Sequence, residues 1–184
     1  MSDPNVSGQA YGFLAMMPIK DGEVEPLRAY LEGFRDRGER PFHSVPRTHM
    51  ARFVIVPDFH NDKRWKQRKE ERLEIPSLIL SSNLDLDGQD LDSYLDELAE
   101  GFAPHVADIW GRCIGGPTDP QDLKVYLKHN QIDCGFFYAA YGQATVPKVK
   151  ASLAQRDKLM DFATRTQGMK PAALQKAFIK EFPG

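Results

Sequence analysis

Four short runs of mostly apolar residues predict four β-strands. Each run is nearly continuous and rich in β-branched and aromatic side chains, which suit a pleated and well-covered sheet. Turn-forming residues mark their ends, such as Pro18 and Asp21-Gly22 after the first run and Pro57 after the second. The predicted strands cover residues 11–19, 48–56, 76–86 and 134–142.

Apolar residues that recur three and four positions apart predict helices between and after these strands. Residues 23–37 have Pro26 in the first turn and Gly38 just beyond the end, and both are typical of helix boundaries. Asp90 is suited to cap a second helix, whose apolar stripe ends near Gly101. Further helices are predicted at 119–129, after Thr145 with Pro147, and after Pro171.

The order of these elements is strand-helix-strand twice, followed by helices. This order is the ferredoxin-like βαββαβ plan of the α+β class, with an antiparallel four-stranded sheet. We therefore predict a single ferredoxin-like domain over residues 1–184, with its core at about 10–142 and a C-terminal helical extension at 145–182. In this plan the strand at 76–86 is central and has the strands at 11–19 and 48–56 as neighbours.

The predicted strands are apolar on both faces, although the helices cover only one face. Consecutive residues whose side chains point to opposite faces are both apolar, as in Phe13-Leu14 and Phe136-Phe137. A second sheet is the simplest cover for the other face, so we predict a homodimer of the dimeric α/β-barrel type. Such a dimer leaves a lumen that could hold a small-molecule ligand.

Composition and charge narrow the classes of partner. The chain of 184 residues carries 24 Lys and Arg against 26 Asp and Glu, a net charge of −2, so no overall field favours nucleic acid or an anionic membrane. No apolar run is long enough to cross a membrane, and the first residues lack the features of a signal peptide, which predicts a cytoplasmic protein. The basic segment 61–72 predicts a solvated hairpin arm, with RNA contact as the weaker alternative.

Common catalytic and metal-binding motifs are absent from the sequence. There is no P-loop, GxGxxG, HExxH or GxSxG, which disfavours the usual nucleotide-binding, dinucleotide-binding, zincin and serine hydrolase classes. Cys113 and Cys134 have neither CxxC spacing nor histidines at zinc-finger intervals. We interpret both cysteines as small buried apolar side chains.

Polar side chains at the ends of two neighbouring predicted strands form the best candidate site. His49 and Arg52 begin the second strand, and Asn83 and Asp85 end the third, so antiparallel pairing brings the four together. A period of two places His49 and Arg52 on opposite faces unless a bulge intervenes. An equal alternative is a structural closure, in which Arg52 pairs with Asp85 and His49 bonds a loop carbonyl.

Two further histidines are candidates for binding a cofactor. His105 begins a turn after the second helix, and His129 precedes the last predicted strand. Either could be an axial ligand to heme, which needs one accessible imidazole. A capping or surface position is the more ordinary interpretation of each histidine.

Several motifs together resemble an uncharacterised bacterial family that we place in the dimeric α/β-barrel superfamily. They follow in order over about residues 40–160 and read THMARFVIVPD, LILSSNLDLDGQDLDSYLDEL, IWGRCIGGP, YLKHNQ and FFYAAYGQATVPKVKASL. The residues at the recurring positions of that family are His49, Arg52, Ser82, Asn83, Asp85, Trp110, Gly111, His129, Tyr138, Tyr141 and Thr145.

The resemblance implies oxidative chemistry as a class and leaves the cofactor open. The wider superfamily includes heme-dependent dye-decolourising peroxidases, chlorite dismutase-like enzymes, heme-degrading and cofactor-free monooxygenases, and non-catalytic ligand-binding members. This chain lacks the GxxDG signature of the dye-decolourising peroxidases. A shared fold does not by itself assign a function.

The leading functional hypothesis is an oxidoreductase, heme-dependent or cofactor-free, that acts on a small apolar or aromatic molecule in the lumen. His49 would be the acid and base, Asp85 would orient it, and Arg52 would hold an anionic or peroxidic group. Asn83 and Tyr138 would position the substrate by hydrogen bonds. The alternative is a non-catalytic dimeric small-ligand-binding or accessory protein, whose lumen is filled by Phe, Met and Leu side chains.

Overall fold

The structure is a computed structural model that describes residues 3–59, 72–86, 88 and 90–182. The chain divides into two compact units, Met1–Val146 and Pro147–Gly184. The described strands and the candidate site residues all belong to the first unit. The second unit is helical.

A four-stranded antiparallel sheet forms the centre of the first unit. Its strands are β1 (Val6–Ser7), β2 (Ala10–Pro18), β3 (Thr48–Val56) and β4 (Ser77–Asp85), and they lie side by side in the order β1-β2-β4-β3. Three of the four predicted strands are confirmed to within one residue. Their order in the sheet is also the predicted one, with β4 between β2 and β3.

The helices of the first unit are α1 (Val24–Asp36), α2 (Leu91–Gly101), α3 (Val106–Ile109) and α4 (Leu123–His129). Short 3₁₀ helices accompany them at Pro41–Ser44, Ala103–His105, Trp110–Arg112 and Pro120–Asp122.

The predicted N-terminal cap of α2 is confirmed. Asp90 Oδ1 accepts a hydrogen bond from the backbone N–H of Ser93 at 2.9 Å, which satisfies one of the donors that a helix start leaves free. Asp119 does the same for Gln121 N–H at 2.9 Å in the turn before α4.

The helices cover one face of the sheet and form the core with it. Residues that alternate along β2 and β4 point to this face and are almost fully buried: Tyr11, Phe13, Ala15, Met17, Leu78, Leu80 and Leu84. Trp110 is also buried there, with its ring edge-on to the rings of Phe53 and Phe102. Trp110 is therefore a core aromatic residue.

The helices of the first unit leave the opposite face of the sheet uncovered. Leu14, Met16 and Ile79 are half-buried there, and Met50 and Val54 on β3 are exposed. The strands thus carry apolar residues on both faces, as the sequence indicates, but the helices of this unit pack against only one face.

The predicted fourth strand at 134–142 is wrong. The chain begins to pair with β2 earlier, where Met16 N–H donates to Asn130 O at 3.0 Å and Ile132 N–H donates to Leu14 O at 2.9 Å. The ladder then stops because β1 pairs with the next part of the same edge, at Ala10 and Tyr11. The ferredoxin-like arrangement of four predicted strands is therefore not reproduced at this edge.

The segment at 134–142 follows the sheet edge without joining it. Cys134 N–H donates to the Asn5 side chain at 2.7 Å, and Ala139 N–H donates to Ser7 Oγ at 3.2 Å. Three of its four aromatic side chains are largely exposed, Phe136 at 84%, Tyr138 at 72% and Tyr141 at 84%, whereas Phe137 is half-buried.

The second unit contains the rest of the long helix α5 (Val146–Arg165) and α6 (Pro171–Glu181), which confirms both predicted C-terminal helices. Phe162 is buried between Phe178 and Phe182, with ring centroids 5.7 and 5.5 Å from its own. These three aromatic rings form a small core between the two helices.

Three remaining expectations have different outcomes. The predicted arm at 61–72 lies outside the described residues except for Arg72. Cys113 is buried as predicted, whereas Cys134 is only half-buried. Among the residues that the structure describes, no helix combines the length and the apolar character needed to cross a membrane.

Candidate functional site

A β-bulge at His49 shapes the candidate site. Thr48 pairs with Leu84 and Met50 pairs with Asn83, so His49 is an extra residue that has no partner of its own in the β3–β4 ladder. An extra residue shifts the alternation of side chains along one strand. The bulge that the sequence analysis left open is therefore present.

The bulge brings His49 and Arg52 to the same face of the sheet. Met50 and Arg52 point to the uncovered face, as does Asn83, and alternation along β4 places Asp85 on that face too. His49 turns to Asp85, and its Nε2 lies 2.6 Å from Asp85 Oδ1. The predicted convergence of His49, Asn83 and Asp85 at one end of the sheet is thus present.

Asp85 is the buried centre of this arrangement. The residue is 1% exposed, and its second carboxylate oxygen accepts a hydrogen bond from the backbone N–H of Val146 at 2.5 Å. Val146 is the last residue of the first unit and the first residue of α5, and its N–H is one of the donors that a helix start leaves free. Both oxygens of Asp85 are therefore used, one for His49 and one for the helix start.

The geometry of the His49–Asp85 pair assigns the roles of the two ring nitrogens. A carboxylate accepts hydrogen bonds, so Nε2–H of His49 is assigned as the donor to Asp85, and in the neutral tautomer that keeps this bond the lone pair is on Nδ1. A carboxylate that fixes an imidazole in this way makes it a directed base. The His49 side chain is about one-quarter exposed, at 26%, so the ring remains accessible from outside.

The alternative closure predicted from the sequence is wrong in its pairing. Asp85 does not pair with Arg52, because His49 and Val146 take its two oxygens. A structural closure is present with other partners, because the Asp85 carboxylate joins His49 near the start of β3 and the backbone N–H of Val146 to the end of β4.

A tyrosine on α2 holds the two strands together behind the bulge. The Tyr94 hydroxyl lies 2.7 Å from Ser82 Oγ and 3.0 Å from Thr48 Oγ1, and Tyr94 is fully buried. Burial raises the pKa of the Tyr94 phenol, so the hydroxyl keeps its proton and stays a hydrogen-bond partner at neutral pH.

Arg47 extends the same support to Asp85. Its guanidinium reaches α2, with Nη2 donating to Ser93 Oγ at 3.0 Å and Nε lying 3.1 Å from a carboxylate oxygen of Glu97. Its backbone carbonyl accepts the N–H of Asp85 at 2.9 Å. One turn of α2 therefore fixes Arg47 and Thr48, the two residues that lead into the bulge.

An open cleft of about 470 Å³ lies on the uncovered face and begins at Met50 and Asn83, the ladder pair that follows the bulge. The described residues that line it are Met50, Ala51, Arg52, Ser81 and Asn83. The predicted candidates Arg52 and Asn83 thus share one cleft. A volume above roughly 300 Å³ is enough for a small organic molecule.

Tyr138 is not brought to this cleft by any contact among the described residues. It lies 72% exposed on the segment at 134–142, which is fixed to the sheet by its neighbour Phe137 packed over Gly12. Gly12 pairs with Asn83 across β2 and β4, so the segment runs beside the same uncovered face.

The two histidines predicted to bind heme lie apart from the His49–Asp85 pair in the sequence and have different surroundings. Nδ1 of His105 lies 2.9 Å from the Tyr30 hydroxyl, and the imidazole is edge-on to Phe34 and Phe102. His129 is exposed at the last position of α4. Neither residue is among the described lining of the cleft at Met50 to Asn83. Heme binding by His105 or His129 stays a prediction.

Within the described ranges, no group of three His, Cys, Asp or Glu side chains is arranged to hold a metal ion.

Two contributors to the site were missed by sequence reasoning. Val146 lies at the predicted helix start, between Thr145 and Pro147, but nothing in the sequence indicates that its backbone N–H reaches Asp85. Tyr94 belongs to the predicted apolar stripe of α2, and its hydroxyl was the one signal that could have marked it as a partner for buried polar groups.

Comparison of the chain with protein-family models, curated proteins and solved structures gives no match. The resemblance to a dimeric α/β-barrel family stays a prediction.

Proposed function

We propose that the chain is an oxidoreductase that acts on a small aromatic molecule bound in the cleft on the uncovered face of the sheet. The observation that carries this proposal is the His49–Asp85 pair at 2.6 Å, placed on the same face as the cleft lined by Arg52 and Asn83. An oriented base and a cation beside a small-molecule cleft are what a proton abstraction from an activated carbon requires.

The chemistry that fits is cofactor-free oxidation by molecular oxygen. His49 Nδ1 takes a proton from a methylene group that a neighbouring carbonyl activates, and the charge moves onto the carbonyl oxygen as an enolate. The carbanion form reduces O₂ and, with one proton, gives a hydroperoxide, which loses water to leave a new carbonyl. The balance is one methylene plus O₂ to one carbonyl plus water, and no other reductant is needed.

Each polar residue of the site has a place in this proposal. Asp85 keeps the His49 ring in one tautomer and stabilises the protonated ring that forms. Arg52 neutralises the enolate oxygen as it develops, and the amide of Asn83 orients the carbonyl. Tyr138 has no contact with this cleft among the described residues, so we propose that it positions substrate in the cleft of a second copy of the chain.

We also propose that two copies associate through the uncovered face. Met50 is 68% exposed there on β3, and the exposed aromatic residues at 136, 138 and 141 run along the opposite sheet edge, beside β1. Exposed apolar side chains on a sheet face and along its edge are typical of interaction sites. A second sheet over this face would enclose the cleft and exclude water from it.

The test is oxygen consumption with anthrone, an aromatic ketone that carries an activated methylene group. The wild-type chain should consume oxygen, and His49→Asn should lower the rate by about a hundredfold or more because the base is lost. The control is His43→Ala, which removes an exposed imidazole outside the site. An undiminished rate in His49→Asn would remove His49 from the mechanism.

The second candidate is a non-catalytic small-ligand-binding protein. It is favoured by the full use of both Asp85 oxygens in joining β3, β4 and α5, which is what a structural closure needs. In that case anthrone binds without oxygen consumption, and His49→Asn lowers stability while the affinity for ligand remains.

A further inference from the structure

Arg52 is an exposed cation that lines the cleft and has no anionic partner among the described residues. No ion pair or hydrogen bond joins its guanidinium to a side chain within residues 3–59, 72–86, 88 and 90–182. By contrast, Arg47 pairs with Glu97 and Arg112 pairs with Glu23 in the same unit. Asp85, a carboxylate on the same face, is already occupied by His49 and Val146.

The surroundings of Arg52 combine polar groups on one side with apolar groups on the other. Ser81 is its partner in the β3–β4 ladder, and Asn83 lies one pair further along the same face. Met50, two positions before Arg52 on the same strand, is 68% exposed. A hydroxyl, an amide and a guanidinium therefore converge beside an exposed thioether.

We infer that the cleft binds aromatic oxyanions, in which a carboxylate, phenolate or enolate oxygen meets Arg52 and the ring system lies against Met50. The inference rests on the proposed function, and it names the chemical class of ligand for that site. A planar guanidinium recognises a carboxylate through two parallel hydrogen bonds. A methionine sulfur makes favourable contacts with aromatic rings.

Other anions fit the cleft less well. A phosphate would need several cations or a series of backbone N–H donors, whereas the described lining has one cation and an apolar side. The volume of about 470 Å³ is sufficient for two or three fused rings. Arg52 is the one cation among the described lining residues, so a ligand with a single negative charge is the simplest match.

The test is a comparison of two ligands that differ in charge, 1-naphthoate and 1-naphthamide, measured by titration calorimetry on the full chain. The wild type should bind 1-naphthoate about tenfold or more tightly than 1-naphthamide, because only the carboxylate pairs with Arg52. Arg52→Gln should weaken 1-naphthoate by about 10- to 100-fold and leave 1-naphthamide unchanged. Arg52→Lys keeps the charge and loses the planar pair of donors, so its affinity for 1-naphthoate should lie between those of the wild type and Arg52→Gln.

The matched control is Arg35→Gln, which removes an exposed arginine from α1 on the helical layer and should bind both ligands as the wild type does. Equal affinities for the two ligands, or an Arg52→Gln variant with full affinity for 1-naphthoate, would overturn the ligand class. Displacement of 1-naphthoate by inorganic phosphate at equal concentration would also overturn it, in favour of a simple phosphate site.

The proposed function can fail separately. Anthrone oxidation that persists in His49→Asn contradicts the role of the His49–Asp85 pair, whatever the result with 1-naphthoate. Loss of discrimination between 1-naphthoate and 1-naphthamide contradicts the ligand class, even if His49→Asn abolishes oxidation.

Discussion

At the scale of single residues, Gly12 decides whether the aromatic segment at 134–142 can lie against the sheet. A Cβ atom added to Gly12 would come within 2.8 Å of the Phe137 ring, which is closer than packed atoms approach. Gly12→Ala should therefore displace Phe137, lower the free energy of unfolding by about 1–3 kcal/mol and speed cleavage of the segment by chymotrypsin.

The matched control for this prediction is Gly135→Ala, in the same segment. A Cβ atom on Gly135 meets nothing within 4 Å, and the backbone needs no positive φ there. Gly135→Ala should be cleaved at the wild-type rate. Equal rates of chymotrypsin cleavage in Gly12→Ala and the wild type would show that Phe137 does not hold the segment in place.

The polar residues of the site could be predicted from the sequence because their positions follow from strand pairing alone. Antiparallel neighbours put the start of β3 beside the end of β4, so His49 and Asp85 had to be close. The bulge could not be predicted, because it depends on how α2 fixes Thr48 and Arg47 from the other face. That contact joins residues more than 40 positions apart.

At the scale of elements, α2 controls the geometry of the bulge through Tyr94. Tyr94→Phe keeps the ring but leaves the hydroxyls of Thr48 and Ser82 without this partner, which should lower the free energy of unfolding by about 1–2 kcal/mol. We also expect the side-chain ¹⁵N resonances of His49 to shift, because the strand that carries it is no longer held. Heteronuclear NMR and urea unfolding measure the two effects.

Tyr126→Phe is the control for the role of α2. It also removes a tyrosine hydroxyl, one that donates to Ile114 O at 3.0 Å and makes no hydrogen bond to β3 or β4 among the described residues. It should leave the His49 resonances unchanged. If Tyr94→Phe lowers stability and the His49 resonances do not move, Tyr94 contributes to the core alone and does not position His49.

The fourth predicted strand shows where element prediction from sequence reaches its limit. Helices could be placed well because their caps and apolar periods are local, as at Asp90 and Pro171. A strand also needs a free edge, and β1, with two residues, takes the edge of β2 that residues 134–142 would need. Two residues carry no periodic pattern, so the sequence offered no sign of this competition.

At the scale of the whole molecule, several buried thiol and phenol groups make the free energy of unfolding fall at alkaline pH. Burial raises the pKa of the Cys113 thiol from its ordinary value of 9.0 to about 12, and burial likewise raises the pKa values of the Tyr126 and Tyr94 phenols. Each group is neutral in the folded chain and ionises more readily in the unfolded chain. Their contribution is therefore complete below about pH 9 and is lost as the pH rises toward 12.

Urea unfolding between pH 7 and pH 11 tests this dependence. The free energy of unfolding should be level to about pH 8.5 and then fall, with Cys113 alone accounting for about 3 kcal/mol by pH 11. Cys113→Ala should start from a lower stability, because a buried side chain is shortened, yet show a shallower decline above pH 9. A decline as steep as that of the wild type would mean that ionisation of Cys113 is not what opens the fold at high pH, and would leave the buried tyrosines as its source.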